Sequence, residues 1–586
     1  MIRRIARRHG VPVLGLAVVA TAWSLVNLRD LLDQWSTAVP TRLDNRFQAW
    51  VIHWVQGALM GEHALFDAAT FAPAPDSLTF SDHLIGLAVV LLPLRGLGMS
   101  PAAIFNTGLV LGVVADAVAA YLMGFVLTRR RSAGLVAAAV FALGPVPWLA
   151  TMHINLVWRA GLPLIVAAVW VLADRASQRD EWESVPADRV LLAGLALVIA
   201  WQGLLSFFYA VFVLILAVLV VAVRWRDVRS RLVPVGLAVG LGAAAFVPSY
   251  VPYLGTRSRY PDYRFDLDDI AFLRAAPHIV EDSNLLWGGT LGRPLFGPDG
   301  FHAFPGVTVL LLVGAGLAAT AAWRRRHGWA VPALGLVVTV VGALGAIGPG
   351  EGAWRGWTPY AIAFRFVPGF SAIRASGRFV LLVLVGLAVL AALAVGTALD
   401  RWEDRSRVGA ERGRPGRPGW LVGAVGAGLV IAAIGGEGLN GGRDVTAAAV
   451  HPIDEVVAAQ DEPGGVVYLP DAYAGLGDFD AQEEFVLRSS AHDRPIANGF
   501  AGYYPPSAFA LGERLESLPD DGALDCLARY DIRFVVVTER VALTPWAALA
   551  DPAAARPLEL VVEAAGERLY RVPDRSVAPD ACPLSG

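Results

Sequence analysis

Residues 40–54 read PTRLDNRFQAWVIHW and lie just past an apolar run, 11–28, that is long enough to cross a bilayer. Phe47, Trp50 and Trp54 recur at the i, i+3, i+7 spacing of one helix face. That spacing predicts an amphipathic helix lying in a membrane interface. Asp44 stands at the mouth of this helix, and two readings fit it. Asp44, or Asn45 with Gln48, caps the helix; or the carboxylate is held at the outer interface as a general base.

The surrounding composition settles the class. Of 586 residues, 55% are hydrophobic and 17% charged, with a mean hydropathy of +0.53, far from an ordinary soluble domain. The chain reads as a polytopic membrane protein. Its net charge of -3 and the lack of a basic face exclude nucleic acid as a partner. All 48 cationic side chains are arginine, which points to coding bias, so arginine abundance alone marks no phosphate site.

Besides 11–28, apolar runs fall near 101–127, 133–151, 155–173, 190–207, 208–223, 232–254, 304–323, 329–348, 378–399 and 420–436, giving eleven expected spans. The start MIRRIARRHG lacks a small-residue cleavage site after its apolar run, so the first span is expected to remain uncleaved. Arginine clusters at 128–132, 174–189, 224–231, 323–328 and 401–419 then share one side with the N-terminus, which is expected to be cytoplasmic in the cell membrane. The short run 83–97 breaks this alternation if it crosses, so it is expected to be re-entrant or juxtamembrane. The opposite side receives long segments at 29–82, 255–303 and 349–377, longer than plain connectors.

The expected fold is thus an α-helical polytopic transmembrane domain, 1–436, followed by an extracytoplasmic α/β domain, 437–586. In the latter, GGVVYLP and IRFVVVTE read as buried strands, DAQEEFVLRSSA and DGALDCLARYD as helices, and LELVVEAAGERLYRV as a hairpin. Cys526 and Cys582 both fall here. An exported compartment permits a disulfide; a Cys526 that is simply core is the other reading.

Polar residues gather in the outer segments. Asp82 either caps the short helix after it or joins Asp44 in a site with His83. Two carboxylates and a histidine can hold a divalent ion, although a separation of 38 residues between Asp44 and Asp82 is no metal signature. His153 and Arg159 bracket the outer end of a hairpin between two spans. His153 reads as a polar anchor, whereas Arg159 falls inside the next span and demands a partner or a cavity. Gln202 and Tyr209 occupy a similar position in WQGLLSFFYAV. Arg365, Arg374 and Arg378 cluster in FRFVPGFSAIRASGRF, on the side where cations are disfavoured. They either snorkel to the interface or grip a phosphate with guanidinium forks. No P-loop, HExxH, nucleophile elbow or paired CxxC occurs.

LDNRFQAWVIHWVQGAL, FSDHLIGLAVVLLPLRGLG, MHINLVWRAGLPL, WQGLLSFFYAV and FVPGFSAIRASGRF, in this order, resemble the GT-C superfamily of membrane glycosyltransferases. The resemblance implies transfer of a hexosyl or pentosyl group from a polyprenyl-phosphate donor, at the lipid bilayer, to an extracytoplasmic glycan or lipid acceptor, with inversion and without a cofactor. It implies Asp44 as catalytic base, with Asp82 or His83 as the second polar residue of that loop. Arg374 and Arg378, then Arg365 and Arg159, are its implied phosphate ligands. His153, Gln202 and Tyr209 would line the substrate. ASGR replaces the proline-containing run expected in the arginine loop, which bears on loop conformation more than on charge. A lipid-linked sugar flippase and a non-catalytic glycan-binding relative are the competing readings.

Overall fold

A computed structural model of the chain describes residues 2–40, 44–146, 153–177, 185–276, 284–287, 301–411, 419–441, 445–471, 479–577 and 582–584. It divides into two compact units, Met1–Arg29 with Gly108–Pro248 and Phe265–Arg443, and Asp30–Thr107 with Ser249–Arg264 and Asp444–Gly586.

The first unit is helical. Among the described residues, seven helices are long and apolar enough to cross a membrane: His9–Asn27, Pro101–Thr128, Ile154–Ala176, Asp188–Leu205, Trp225–Arg259, Val307–His327 and Ser376–Val408. The other four expected spans overlap shorter apolar helices, Arg131–Ala142, Phe207–Val223, Ala330–Ala346 and Leu421–Glu437, and residues 147–151 of the expected 133–151 span lie outside the described residues. The protein is therefore a multi-pass helical membrane protein. Lipid gives no hydrophobic drive for helices to associate, so close packing must supply it. Val380–Glu411 illustrates this: a Cβ at Gly316 would lie 2.3 Å from the Leu390 carbonyl oxygen, and one at Gly342 2.7 Å from the Val383 nitrogen. Glycine at both positions lets neighbouring backbones touch.

A break in one span shows how the unit handles polar backbone at depth. The Ile154–Val157 helix stops at Trp158 (φ −93°, ψ 60°), and helix resumes at Gly161. Carbonyls released by the break need donors, because lipid offers none. Gln202 Nε2 donates to the Trp158 carbonyl at 3.0 Å, and Tyr209 Oη to that of Asn155 at 2.9 Å. Arg159 donates to the carbonyls of Leu156 at 3.3 Å and Phe141 at 3.1 Å. Its Nε also lies 2.9 Å from Asp116 Oδ2, while Asp116 Oδ1 accepts the Arg159 N–H at 3.1 Å. Both residues are fully buried, at 0% exposure. A Cβ at Gly161 would sit 2.2 Å from Gln202 Cγ, so glycine makes room for the glutamine.

In the second unit a four-stranded sheet runs in the order Gly465–Leu469, Ile532–Val537, Glu567–Arg571, Glu559–Ala564. The first pair is parallel, with Leu469 opposite Val537, and the other two are antiparallel. The strands and the hairpin are those expected, as are the helices Phe479–Arg488 and Asp521–Arg529. Leu469, Leu515, Leu527, Val535, Trp546 and Tyr570 fill the core, and Cys526 and Cys582 are joined in it by a disulfide. The loop after the first span belongs to the same unit. Its Ala38–Val39 pairs antiparallel with Thr446–Ala447, and Phe71 and Ala72 donate to the Asn498 and Ile496 carbonyls at 2.9 and 3.0 Å. Phe71, Phe80, Tyr260 and Tyr503 close a shared aromatic core.

Arg159→Ala leaves the Asp116 carboxylate buried without its counter-charge and should lower stability by about 3–5 kcal/mol, whereas Arg159→Met with Asp116→Leu should recover most of it. Thermal unfolding in detergent checks this; equal midpoints for the single variant and wild type would contradict it.

Candidate active site

The Asn45–Met60 helix begins from an unusual residue. Asp44 has φ 50° and ψ −22°, left-handed, and its side chain makes no capping hydrogen bond. An L-residue holds that conformation at a cost of roughly 1–2 kcal/mol, and aspartate tolerates it better than most. First-turn N–H groups of a helix have no partner within it. Here the Arg46 N–H donates to Glu483 Oε1 at 2.9 Å, from the Phe479–Arg488 helix. Of the two readings of Asp44, the cap therefore fails, and the capping carboxylate comes from a residue 437 positions away.

The helix start is also held by its arginine. Arg46 Nε donates to the Ala447 carbonyl at 2.7 Å and Nη1 to that of Asp480 at 3.3 Å, and the guanidinium lies 3.3 Å from Glu484 Oε2. Burial lowers the Arg46 pKa, with Glu484 and Glu483 acting against the shift. Glu483 is 1% exposed. Burial is the main cause that pushes its carboxyl up to about 7; the N–H bond and charge of Arg46 pull it down, and the charges of Asp44 and Asp480 add to the rise. Tyr504 is raised by burial, with Asp44 and Glu483 adding to it. Asp44, Glu483 and Tyr504 thus share one electrostatic neighbourhood, with Asp44 only half-buried.

The aromatic stripe exists, but it does not lie in an interface. Phe47, Trp50 and Trp54 are 6%, 1% and 3% exposed. Phe47 packs edge-on to Phe500, and Trp54 stacks on His63. The expectation of a surface helix is corrected: the unit supplies a second apolar face, so the stripe is core.

His83 precedes the Ile85–Gly96 helix. It is 1% exposed, and its Nδ1 accepts the Ile85 N–H at 3.2 Å. The proton therefore sits on Nε2, which donates to Ser249 Oγ at 3.1 Å. Burial pushes the imidazole pKa down to about 3, so the ring is neutral at physiological pH and both nitrogens are engaged. Asp82 lies close enough to Tyr250 and Tyr253 for its charge to act on both phenols. Among the described residues no group of three His, Cys, Asp or Glu side chains is placed to hold a metal ion.

The remaining expected site residues belong to the first unit. Arg159, Gln202 and Tyr209 meet at the Trp158 break, with donors turned to backbone carbonyls. His153, half-exposed, precedes the Ile154–Val157 helix. Arg374 and Arg378 share one loop, with Arg374 4.5 Å above the Phe265 ring and Arg378 4.6 Å above that of Phe208. Tyr360 Oη fixes the loop by donating to the Ile373 carbonyl at 2.5 Å and the Arg374 carbonyl at 3.2 Å. Burial raises the Tyr360 pKa and Arg378 opposes it. Arg365 is exposed and donates to the Gly356 carbonyl at 3.1 Å. Two half-buried guanidiniums on aromatic faces of a fixed loop have the chemistry to bind a phosphate.

Residues 14–408 match the family described as Domain of unknown function (DUF6311). The chain belongs to that family. No curated protein matches it. Three solved structures are similar to this DUF6311 chain. The Archaeoglobus fulgidus oligosaccharyltransferase tethered with an acceptor peptide is 11% identical with a TM-score of 0.50, over 98% of this chain and 76% of that one. The arabinofuranosyltransferase AftD from Mycobacteria is 14% identical with a TM-score of 0.55, over 96% of this chain and 40% of that one. ArnT from Cupriavidus metallidurans is 10% identical with a TM-score of 0.46, over 99% and 100%. The chain shares its fold with the oligosaccharyltransferase and AftD structures.

Glu483 ties the stability of this DUF6311 chain to pH. Its pKa is raised from 4.5 to about 7 in the fold, so the unfolded chain releases that proton more readily. The stabilising contribution is full below pH 4.5 and is lost as pH rises to about 7. The loss is on the order of 3 kcal/mol, at 1.36 kcal/mol per pKa unit. The unfolding midpoint should therefore fall between pH 5 and pH 8, and fall less in Glu483→Gln; parallel profiles for the two proteins would contradict this.

Proposed function

We propose that the protein is a membrane glycosyltransferase that transfers a hexosyl or pentosyl group from a polyprenyl-phosphate donor to an extracytoplasmic glycan or lipid acceptor. Asp44 is its general base. The observation that carries the reading is the state of Asp44: a carboxylate at a helix mouth, in a strained left-handed conformation, with the capping role filled by Glu483. Strain of this kind is retained where surrounding structure enforces it, and it gathers at functional positions. The GT-C fold supports the reaction class.

In the proposed reaction the acceptor oxygen attacks the anomeric carbon from the face opposite the phosphate. A carbon–oxygen bond to the acceptor forms, and the bond to the phosphate oxygen breaks, its electron pair leaving with the lipid phosphate. Asp44 takes the acceptor's hydroxyl proton, and the anomeric centre inverts. Arg374 and Arg378 receive the phosphate charge, held on their aromatic faces in a fixed loop. Each assignment rests on the geometry of its own unit.

The proposal gives smaller parts to the other residues. Arg159, Gln202 and Tyr209 shape the membrane part by saturating the broken span rather than by touching substrate, and His83 holds the start of its helix. Asp82 remains as the second acidic group of the first loop. The N-terminus is cytoplasmic, and the region from 437 onward is extracytoplasmic.

The test is turnover of radiolabelled polyprenyl-phosphate sugars by the purified protein. Asp44→Asn should slow transfer about 10²- to 10⁴-fold without lowering stability, and wild-type turnover in this variant would remove the base assignment. Arg374→Ala and Arg378→Ala should each slow donor use about 10²- to 10³-fold. A larger effect on acceptor than on donor dependence would argue against the phosphate role.

A further inference from the structure

The Ala330–Ala346 helix has two unlike faces. On one, glycines let the Val380–Glu411 helix approach: a Cβ at Gly335 would lie 2.8 Å from Leu390 Cδ2, and one at Gly342 2.7 Å from the Val383 nitrogen. The other carries Leu336, Val340 and Leu344, four residues apart and all exposed. In a multi-pass membrane protein an apolar stripe left open along a span faces lipid. The stripe does not end with the helix. Ile347 is exposed as well, and the chain then turns through Gly348, Gly350 and Gly352, all at positive φ. Beyond the turn comes a second exposed set: Trp354 at 74%, Trp357 at 70% and Phe366 at 76%, with Ile362 and Val367 beside them. Ile362 and Phe366 stand four apart on one face of the Pro359–Phe366 helix. Arg365 is exposed next to them; such a side chain lays its stem along apolar surface and keeps its head in the polar layer.

We propose that the segment 354–367 is an interfacial anchor: its tryptophans, Ile362, Phe366 and Val367 enter the headgroup boundary of the lipid bilayer, and the Pro359–Phe366 helix sets the depth of the loop that carries Arg374 and Arg378. Lipid is the occupant because the patch continues the open stripe of a span, and because tryptophan gathers where hydrocarbon meets water. The helix is tied on both sides. Thr358 Oγ1 accepts the Ala361 N–H at 3.2 Å and donates to the Gly348 carbonyl, which fixes the helix start against the end of the span. From the buried face, Tyr360 Oη donates to the Ile373 and Arg374 carbonyls at 2.5 and 3.2 Å. One side of this short helix is thus open and apolar, and the other holds the arginine loop. A lipid phosphate lies at the headgroup level, so guanidiniums held at that depth meet it directly. The depth-setting role rests on the reading of Arg374 and Arg378 as phosphate ligands; the anchor stands without it.

The two cysteines of the chain are joined to each other, so a nitroxide reagent labels an introduced cysteine alone. Trp357→Cys and Phe366→Cys are labelled singly in phosphatidylcholine–phosphatidylglycerol vesicles, and collisions with oxygen and with a water-soluble nickel chelate are measured by electron paramagnetic resonance. Val340→Cys gives the hydrocarbon reference and free label in buffer the aqueous one. Both positions should fall between the two references; the ratio of free label at both overturns the anchor. The second arm measures donor KM with labelled polyprenyl-phosphate sugar. Trp357→Ser combined with Phe366→Ser, and Tyr360→Phe separately, should each raise it about 10-fold or more, since a displaced binding group loses its geometry. Phe366→Trp keeps an interfacial ring and should stay within about 3-fold of wild type. Wild-type donor KM in both the double serine variant and Tyr360→Phe overturns the depth-setting role. Wild-type donor use in Arg374→Ala and Arg378→Ala removes the phosphate reading instead, and leaves the label depths as they were.

Discussion

One hydrogen bond, from the Arg46 N–H to a buried Glu483 oxygen, organises the second unit. A helix start that is buried needs an acceptor for its first-turn N–H groups, and the local candidate, Asp44, does not supply it. The acceptor arrives from a helix that the sheet and the Arg488 ion pairs hold in place. That bond joins the loop after the first span to the C-terminal region, beside the Ala38–Val39 and Thr446–Ala447 pairing and the shared aromatic core. It also leaves Asp44 half-buried and strained at the same point. Structure and chemistry meet in one short segment of chain.

The first unit answers to the same rule in a harsher solvent. Inside a bilayer an irregular turn is tolerated only where its carbonyls find donors within the protein. At Trp158 those donors are Arg159, Gln202 and Tyr209, and the charge of Arg159 is met by Asp116. Glycines at 161, 316 and 342 provide the close approach that the arrangement requires. The arginines proposed for phosphate differ in kind. Arg374 and Arg378 lie on aromatic faces in a loop fixed by Tyr360, half-buried rather than sealed.

Periodicity carried the architecture a long way. Apolar runs placed the helices of the first unit, and alternating or continuous apolar runs placed the strands at 465–469, 532–537, 559–564 and 567–571. These patterns are local, and so is the physics behind them. Partners were not legible in the same way. Asp44 had the sequence signature of a cap, yet the capping oxygen belongs to Glu483, 437 residues from the Arg46 N–H that it accepts, and nothing near either residue announces the pairing. The stripe of Phe47, Trp50 and Trp54 is one helix face, as its spacing predicts, but protein covers it rather than an interface, since periodicity tells which face is apolar and not what covers it. Asp116 was the nearest to discoverable. A lone carboxylate inside an apolar run needs a counter-charge, and Arg159 raised the same demand from the run 155–173, two spans on, so the two could have been matched.

A glycosyltransferase reading of this fold thus depends on Asp44, at a helix start whose first-turn N–H is met by a distant carboxylate. The measurement that tests this most directly is amide hydrogen–deuterium exchange of the first turn of the Asn45–Met60 helix, in wild type and in Glu483→Ala. Faster exchange confined to that turn, with the sheet strands still protected, is the expected result. Unchanged protection at Arg46 would show that the bond to Glu483 does not hold the helix start, and would contradict the account at its root.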